Sequence, residues 1–124
     1  MSTKKSGWDN ALVASALTRA AMLRTIRTEA GIEHKVVHDA AKDLDVQSTK
    51  MGTAYSIGWP DRLFFIPGGR PLMIEFKRPG GKVSARQAHI HAELRKAGYA
   101  VSIHDDVDDA LSDIASRIPK RLRK

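Results

Sequence analysis

The chain has 124 residues, a formal net charge of +7 and no cysteine. That length suits a single domain with a real core, and a hydrophobic fraction of 42% beside 28% charged residues excludes a disordered chain. Without cysteine there is no disulfide scaffold and no thiolate zinc site; no apolar run nears the ~18 residues of a membrane span, and Met1–Gly7 lacks a signal peptide's apolar stretch, so a reduced, cytoplasmic setting is expected.

Asp9 or Asn10 can cap a first helix over Ala11–Ala30, with Leu12, Ala16, Ala20 and Leu23 along one side. Gly31 interrupts it, and Ile32, Val36, Val37, Ala40, Ala41 and Leu44 predict a second helix to Leu44. Asp45–Gly58 is polar and aperiodic, with a short strand possible at Thr53–Ile57. Two strands follow, Arg62–Ile66 and Leu72–Lys77, joined by a Pro67-Gly68-Gly69 turn. Arg78-Pro79-Gly80-Gly81 ends the second strand. Ser84 and Gln87 form a capping-box pattern that opens a helix to Ala97, and Gly98 stops it. Tyr99, Val101 and Ile103 alternate as a strand. Asp105 then caps a last helix whose apolar face is Val107, Ala110, Leu111, Ile114 and Ile118. The result is one α/β domain.

The charge is unevenly placed. Lys4 and Lys5 begin the chain, and Arg117, Lys120, Arg121, Arg123 and Lys124 end it, so the two tails carry the whole surplus. Between Val46 and His104, nine basic residues face three acids, Asp61, Glu75 and Glu93. Asp105, Asp106, Asp108, Asp109 and Asp113 follow, where first-turn aspartates suit the positive end of a helix dipole. A basic middle with isolated acids invites a nucleic-acid partner.

Glu75 and Lys77 share one face of their strand, opposite Leu72, Ile74 and Phe76. Pairing Ile66 with Pro71 sets Asp61 beside Phe76, within one position of both Glu75 and Lys77. Two carboxylates that close suit a hard dication such as Mg²⁺, which keeps waters and accepts phosphate oxygens. Lys77 would then orient water or stabilise charge at phosphorus. A surface salt bridge is the plainer reading of the same three residues.

Asp61, a turn and then Glu75-Phe76-Lys77 match the D…ExK signature of the PD-(D/E)xK nuclease superfamily. The fuller string Gly58-Trp59-Pro60-Asp61…Ile74-Glu75-Phe76-Lys77…Ser84…Gln87…Gly98 resembles the virus-type replication-repair nuclease (VRR-NUC) domain over Glu33–Ile114. The resemblance implies a restriction-endonuclease-like α/β core: a small mixed sheet with a central β-hairpin flanked by helices, over residues 31–116. Residues 1–30 would be a helical extension, part of the same unit or a dimer interface, and 117–124 a basic tail. It further implies a DNA endonuclease using Mg²⁺ or Mn²⁺, with Asp61 and Glu75 as metal ligands and Lys77 and Gln87 at the site. Small viral members look like dimeric enzymes selective for branched DNA, akin to Holliday-junction resolvases. The family's helix glutamate falls on Glu33, which borders the apolar stripe, with Glu29 as the other candidate. Gln87 can also serve only its capping box. Lys50, Arg78, Lys82 and Arg86 could track a phosphate backbone or be ordinary solvated charge.

Other signals are weaker. His34 and His38 have the i, i+4 spacing of a zinc pair but no third ligand, and His89 and His91 read as a solvated and a semi-buried residue. Gly80-Gly81-Lys82 lacks phosphate-loop spacing, so no nucleotide cofactor is expected. Two rival functions stand beside the nuclease: a catalytically silent nucleic-acid binder on the same fold, and an interaction protein using the N-terminal helix.

Overall fold

Thr28 caps the helix that opens at Glu29. The computed structural model describes residues 26–52 and 55–123, and in it Thr28 is extended while its hydroxyl accepts a hydrogen bond from the Gly31 amide at 3.0 Å. Helix α1 therefore runs Glu29–Leu44. The expected break at Gly31 is corrected: Gly31 is a buried first-turn residue, and the N-cap hydroxyl three positions earlier sets the boundary. The rest of the expected Ala11–Ala30 helix, up to residue 25, lies outside the described residues. At the far end, Asp45 turns into the left-handed region (φ 56°), and Val46 N–H donates back to the Ala40 carbonyl at 3.0 Å.

Four strands make one mixed sheet in the order β1 (Gln47–Lys50), β2 (Arg62–Ile66), β3 (Arg70–Phe76), β4 (Ala100–His104). The first three are antiparallel and β4 runs parallel to β3. Strand β1 is absent from the sequence reading because an edge strand of four mostly exposed polar residues has no apolar alternation to betray it. Where a strand was possible at Thr53–Ile57, Tyr55–Ile57 form turns, and residues 53 and 54 lie outside the described set.

The hairpin is as expected but its register is not. Ile66 pairs with Arg70, not Pro71, because β3 begins at Arg70 and leaves only Pro67, Gly68 and Gly69 in the loop. Gly68 and Gly69 both take positive φ (103° and 92°), which a side chain would strain. Carried on from Arg62 opposite Ile74, this register sets Asp61 level with Glu75.

Leu72, Ile74 and Phe76 point into one core with Phe64 and Ile66, where α1 contributes Ile32, Val36 and Ala40. Helix α3 (Val107–Arg117) adds Val107, Ala110 and Ile114 to that same face. Phe64 and Phe76 meet edge to face, with ring centres 6.4 Å apart. Met73 and Glu75 occupy the other face of β3 and are also buried, with helix α2 (Ala85–Lys96) over Glu75. That buried acid is the anomaly of the fold.

Both halves of the capping box at Ser84 and Gln87 are formed. The N-cap of α3 is Asp106 rather than Asp105: its carboxylate accepts from the Asp109 amide at 3.0 Å, and Asp105 instead faces the Gly80 amide at 3.4 Å. Asp108 and Asp109 lie in the first turn, as the dipole argument expects. Beyond Arg117, a 3₁₀ turn over Lys120–Leu122 leads to Arg123, which donates to the carbonyls of Ile118 (2.8 Å) and Ser116 (3.1 Å). Among the described residues, no helix is long and apolar enough to cross a membrane.

Candidate active site

Asp61 sits just before β2, where a side chain replaces a ladder bond. Its Oδ2 accepts the Phe76 amide at 2.7 Å, while its own carbonyl accepts from the Met51 amide at 2.8 Å. The carboxylate is thereby fixed against β3, beside Glu75. Both acids titrate high. Burial raises Asp61 most, partly offset by the Phe76 hydrogen bond; Glu33 raises it further and Lys50 lowers it. Burial and then the Asp61 charge push Glu75 up to about 7, against the pull of Lys77.

Glu75 is 2% exposed. Its Oε2 accepts from Gln87 Nε2 at 3.1 Å and lies 3.6 Å from Lys77 Nζ. Gln87 Oε1 in turn accepts from Lys77 Nζ at 3.0 Å and from the Ser84 amide at 2.8 Å. Two donors at one end and a carboxylate at the other fix which way this amide points. Gln87 thus completes its capping box and contacts both Lys77 and Glu75 at once. Substituting it tests this: Gln87→Met keeps the volume, releases Lys77 and unsatisfies the Ser84 amide. Urea unfolding is expected to show a loss of about 1 kcal/mol, and Lys77 should become accessible to acetylation where the wild type protects it.

The other oxygen, Glu75 Oε1, has no hydrogen-bond partner, and neither has either ring nitrogen of His91. His91 is fully buried, with Nε2 3.9 Å from that oxygen. Burial first, then Arg95 and Lys77, lower its pKa, so the ring is neutral. The expectation of a semi-buried histidine is corrected. His89, two positions away, is exposed, and the informative spacing is to Gln87: i and i+4 place Gln87 and His91 on the α2 face that covers Glu75.

Glu33 reaches this corner from α1. Its carboxylate binds Lys50 Nζ (2.9 and 3.0 Å) and Arg62 Nε (2.8 Å), a cation the sequence reading did not single out. Glu29 lies a turn earlier, exposed. Of the four cations considered for phosphate, Lys50 is engaged by Glu33 and Arg86 Nε donates to the Ile57 carbonyl at 3.0 Å. Arg78 and Lys82 are exposed on the loop between Lys77 and α2. A cleft lined by Arg70, Pro71, Tyr99 and Arg117 lies at the opposite end of β3, and no carboxylate lines it.

The donor set fits a hard divalent ion. Among the described residues no three acid or histidine side chains gather in ligand geometry, so the protein would contribute Asp61 and the orphaned Oε1 of Glu75, leaving the remaining positions to waters and phosphate oxygens. Two carboxylates held against their own repulsion are what such a cation would relieve.

This architecture has known counterparts. A solved structure described as a VRR_NUC domain superposes with a TM-score of 0.61, 22% identity, and coverage of 73% of this chain and 97% of that one. A second, a VRR_NUC domain protein, gives 0.60 and 21%, covering 70% and 84%. The chain has the VRR_NUC fold. In sequence it is 39% identical over 51 residues to "Putative nuclease p44" of Acyrthosiphon pisum secondary endosymbiont phage 1, a match spanning 41% of this chain and 55% of that protein. No family model matches the chain.

Proposed function

We propose that this protein is a divalent-metal-dependent DNA endonuclease. The observation that carries the reading is the buried pair of acids, Asp61 and Glu75, both raised in pKa first by burial and Glu75 further by the Asp61 charge, with Lys77 clamped alongside by Gln87. A plain surface salt bridge does not account for a glutamate that is 2% exposed with one oxygen unpaired. The VRR_NUC fold and the phage relative's name support the same class.

Asp61 and Glu75 would hold Mg²⁺ or Mn²⁺, which supplies Lewis acidity at the scissile phosphate and lowers the pKa of a bound water. The chain's own groups do the rest. Lys77 directs the attacking water and stabilises charge developing on the phosphoryl oxygens. Gln87 keeps that ammonium in place while tying it to Glu75. Glu33 would support the site by holding Lys50 and Arg62, which draws those two cations off the Asp61 carboxylate. Arg78, Lys82 and Arg86 line the approach for the phosphate backbone, around the N-terminal end of α2.

The preferred substrate is branched DNA and the working form a homodimer, in viral replication, recombination or repair, within a host cytoplasm. The test is cleavage of labelled four-way, flap and linear DNA with and without Mg²⁺ or Mn²⁺. Junction cleavage that needs the ion is expected, with linear duplex cut more slowly. Salt-sensitive binding without cleavage in either ion would replace the enzyme with a silent binder.

A further inference from the structure

Three large apolar side chains lie in the open in the stretch of chain just before Asp61. Tyr55 is 100% exposed, Ile57 63% and Trp59 38%, at alternate positions of the segment 55–60 that leads straight into Asp61. Exposed apolar groups crowded so closely call for an occupant.

The backbone beneath them is not loose. Trp59 N–H donates to the Ser56 carbonyl at 3.1 Å, and Ser56 Oγ donates to the Met51 carbonyl at 2.9 Å. Arg86 of α2 holds the Ile57 carbonyl at 3.0 Å, and Pro60 is fully buried. Gly58 presses against α2 so closely that a Cβ there would meet Arg86 Cγ at 2.9 Å and Ile90 Cγ1 at 3.3 Å, at a φ of +89°. The segment is docked on the helix that carries Gln87 and His91 to Glu75. Its side chains are displayed while its main chain is fixed.

The charges around it select the occupant. Lys50 and Arg62 are paired with Glu33, but Arg78 and Lys82 are exposed between Lys77 and α2, and Arg86 of α2 reaches the segment itself, so a polyanion is drawn there. A paired duplex hides its base faces and offers these side chains only phosphate and sugar. An unpaired base offers a flat π-face to an indole. A protein seated on the same side chains would cover the way to the carboxylates.

Resting on the nuclease reading, we propose that Trp59, with Ile57 beside it, is a stacking site for an unpaired nucleobase of the DNA strand whose phosphate lies at Asp61 and Glu75. This makes strand opening, as found at gaps and branch points, the feature the enzyme recognises.

Trp59 reports on its own occupancy. The chain has two tryptophans, so Trp8→Phe leaves Trp59 as the sole emitter. In Ca²⁺ or EDTA, to hold back cleavage, a gapped duplex should quench this emission and a continuous duplex of equal length should not. Anisotropy of labelled DNA should show that Trp59→Ala weakens binding of the gapped duplex by about tenfold, within the range stacking supplies, and barely affects the continuous one. Trp59→Phe should retain most of the preference and guards against a folding defect. Identical emission with both DNAs, with no loss of preference in Trp59→Ala, overturns the stacking site while binding and cleavage leave the nuclease reading standing. Emission that shifts with protein concentration in the absence of DNA assigns the patch to a second copy and overturns it too. Failure to bind either DNA removes both proposals together.

Discussion

Replacing Glu75 with glutamine is expected to stabilise the metal-free protein at pH 8 while abolishing cleavage. Below about pH 4.5, Glu75 is protonated in the folded and the unfolded chain and imposes no electrostatic penalty. Between 4.5 and about 7 the unfolded chain releases this proton and the folded chain keeps it, so stability falls as pH rises. Above 7 the penalty is complete and flat. A separation of that size corresponds to about 3 kcal/mol for a group buried this fully. Glutamine resembles the protonated acid in shape and leaves the penalty behind. Urea unfolding in EDTA should therefore show the variant gaining on wild type between pH 5 and pH 8. Added Mg²⁺ should reverse the order, because a ligand at a hundred times its dissociation constant stabilises by about 2.7 kcal/mol and the variant has lost a donor oxygen. Cleavage should drop about a thousandfold or more, the scale of several kcal/mol of lost charge stabilisation. A variant less stable than wild type at pH 8 would show that the Lys77 and Gln87 contacts outweigh burial and repulsion. Undiminished cleavage would remove Glu75 from the site.

Asp61 should separate fold from chemistry in another way. Both Asp61→Asn and Asp61→Ala are expected to be inactive, by about a hundredfold or more. Only alanine strips the acceptor from the Phe76 amide, whose residue is fully buried and whose bond to Asp61 is 2.7 Å long. An orphaned buried amide costs about 1–3 kcal/mol, whereas asparagine can present its carbonyl oxygen in the same place. The urea midpoint of the alanine variant should thus fall below that of the asparagine variant, with matching losses of cleavage on a labelled junction. Equal midpoints would mean that the Phe76 bond contributes nothing to holding β2 against β3.

The hairpin and its three charged residues were legible because local rules agree there: alternation on β3, a Pro-Gly-Gly turn, and a spacing that puts Glu75 and Lys77 on one face. The register was not, since one residue at a loop end decides it and nothing in Arg70 announces that it pairs. Strand β1 was hidden because its pairing is entirely with β2 backbone and its side chains have nothing to bury. The first helix boundary went to Thr28 because a hydroxyl cap outweighs a glycine that a helix tolerates at modest cost. His91 was missed for a different reason. Burial beneath a helix is a tertiary property, and only the i, i+4 link to Gln87 carried it in the sequence. The docking of segment 55–60 onto α2 had no local signature, because Gly58 meets Arg86 and Ile90, residues far from it along the chain.

Gln87 ties inheritance to chemistry in a way the individual bonds do not reveal. The same amide finishes the N-terminal cap of α2 and holds the reactive ammonium, so a lineage relaxing its need for cleavage could not let this position drift without also loosening a helix. Under mutation, the fold defends part of the site even when nothing selects for the reaction. A descendant that had lost its enzymatic role would keep glutamine at 87 longer than it kept glutamate at 75. The order in which those two letters decay among relatives would therefore date the loss of activity.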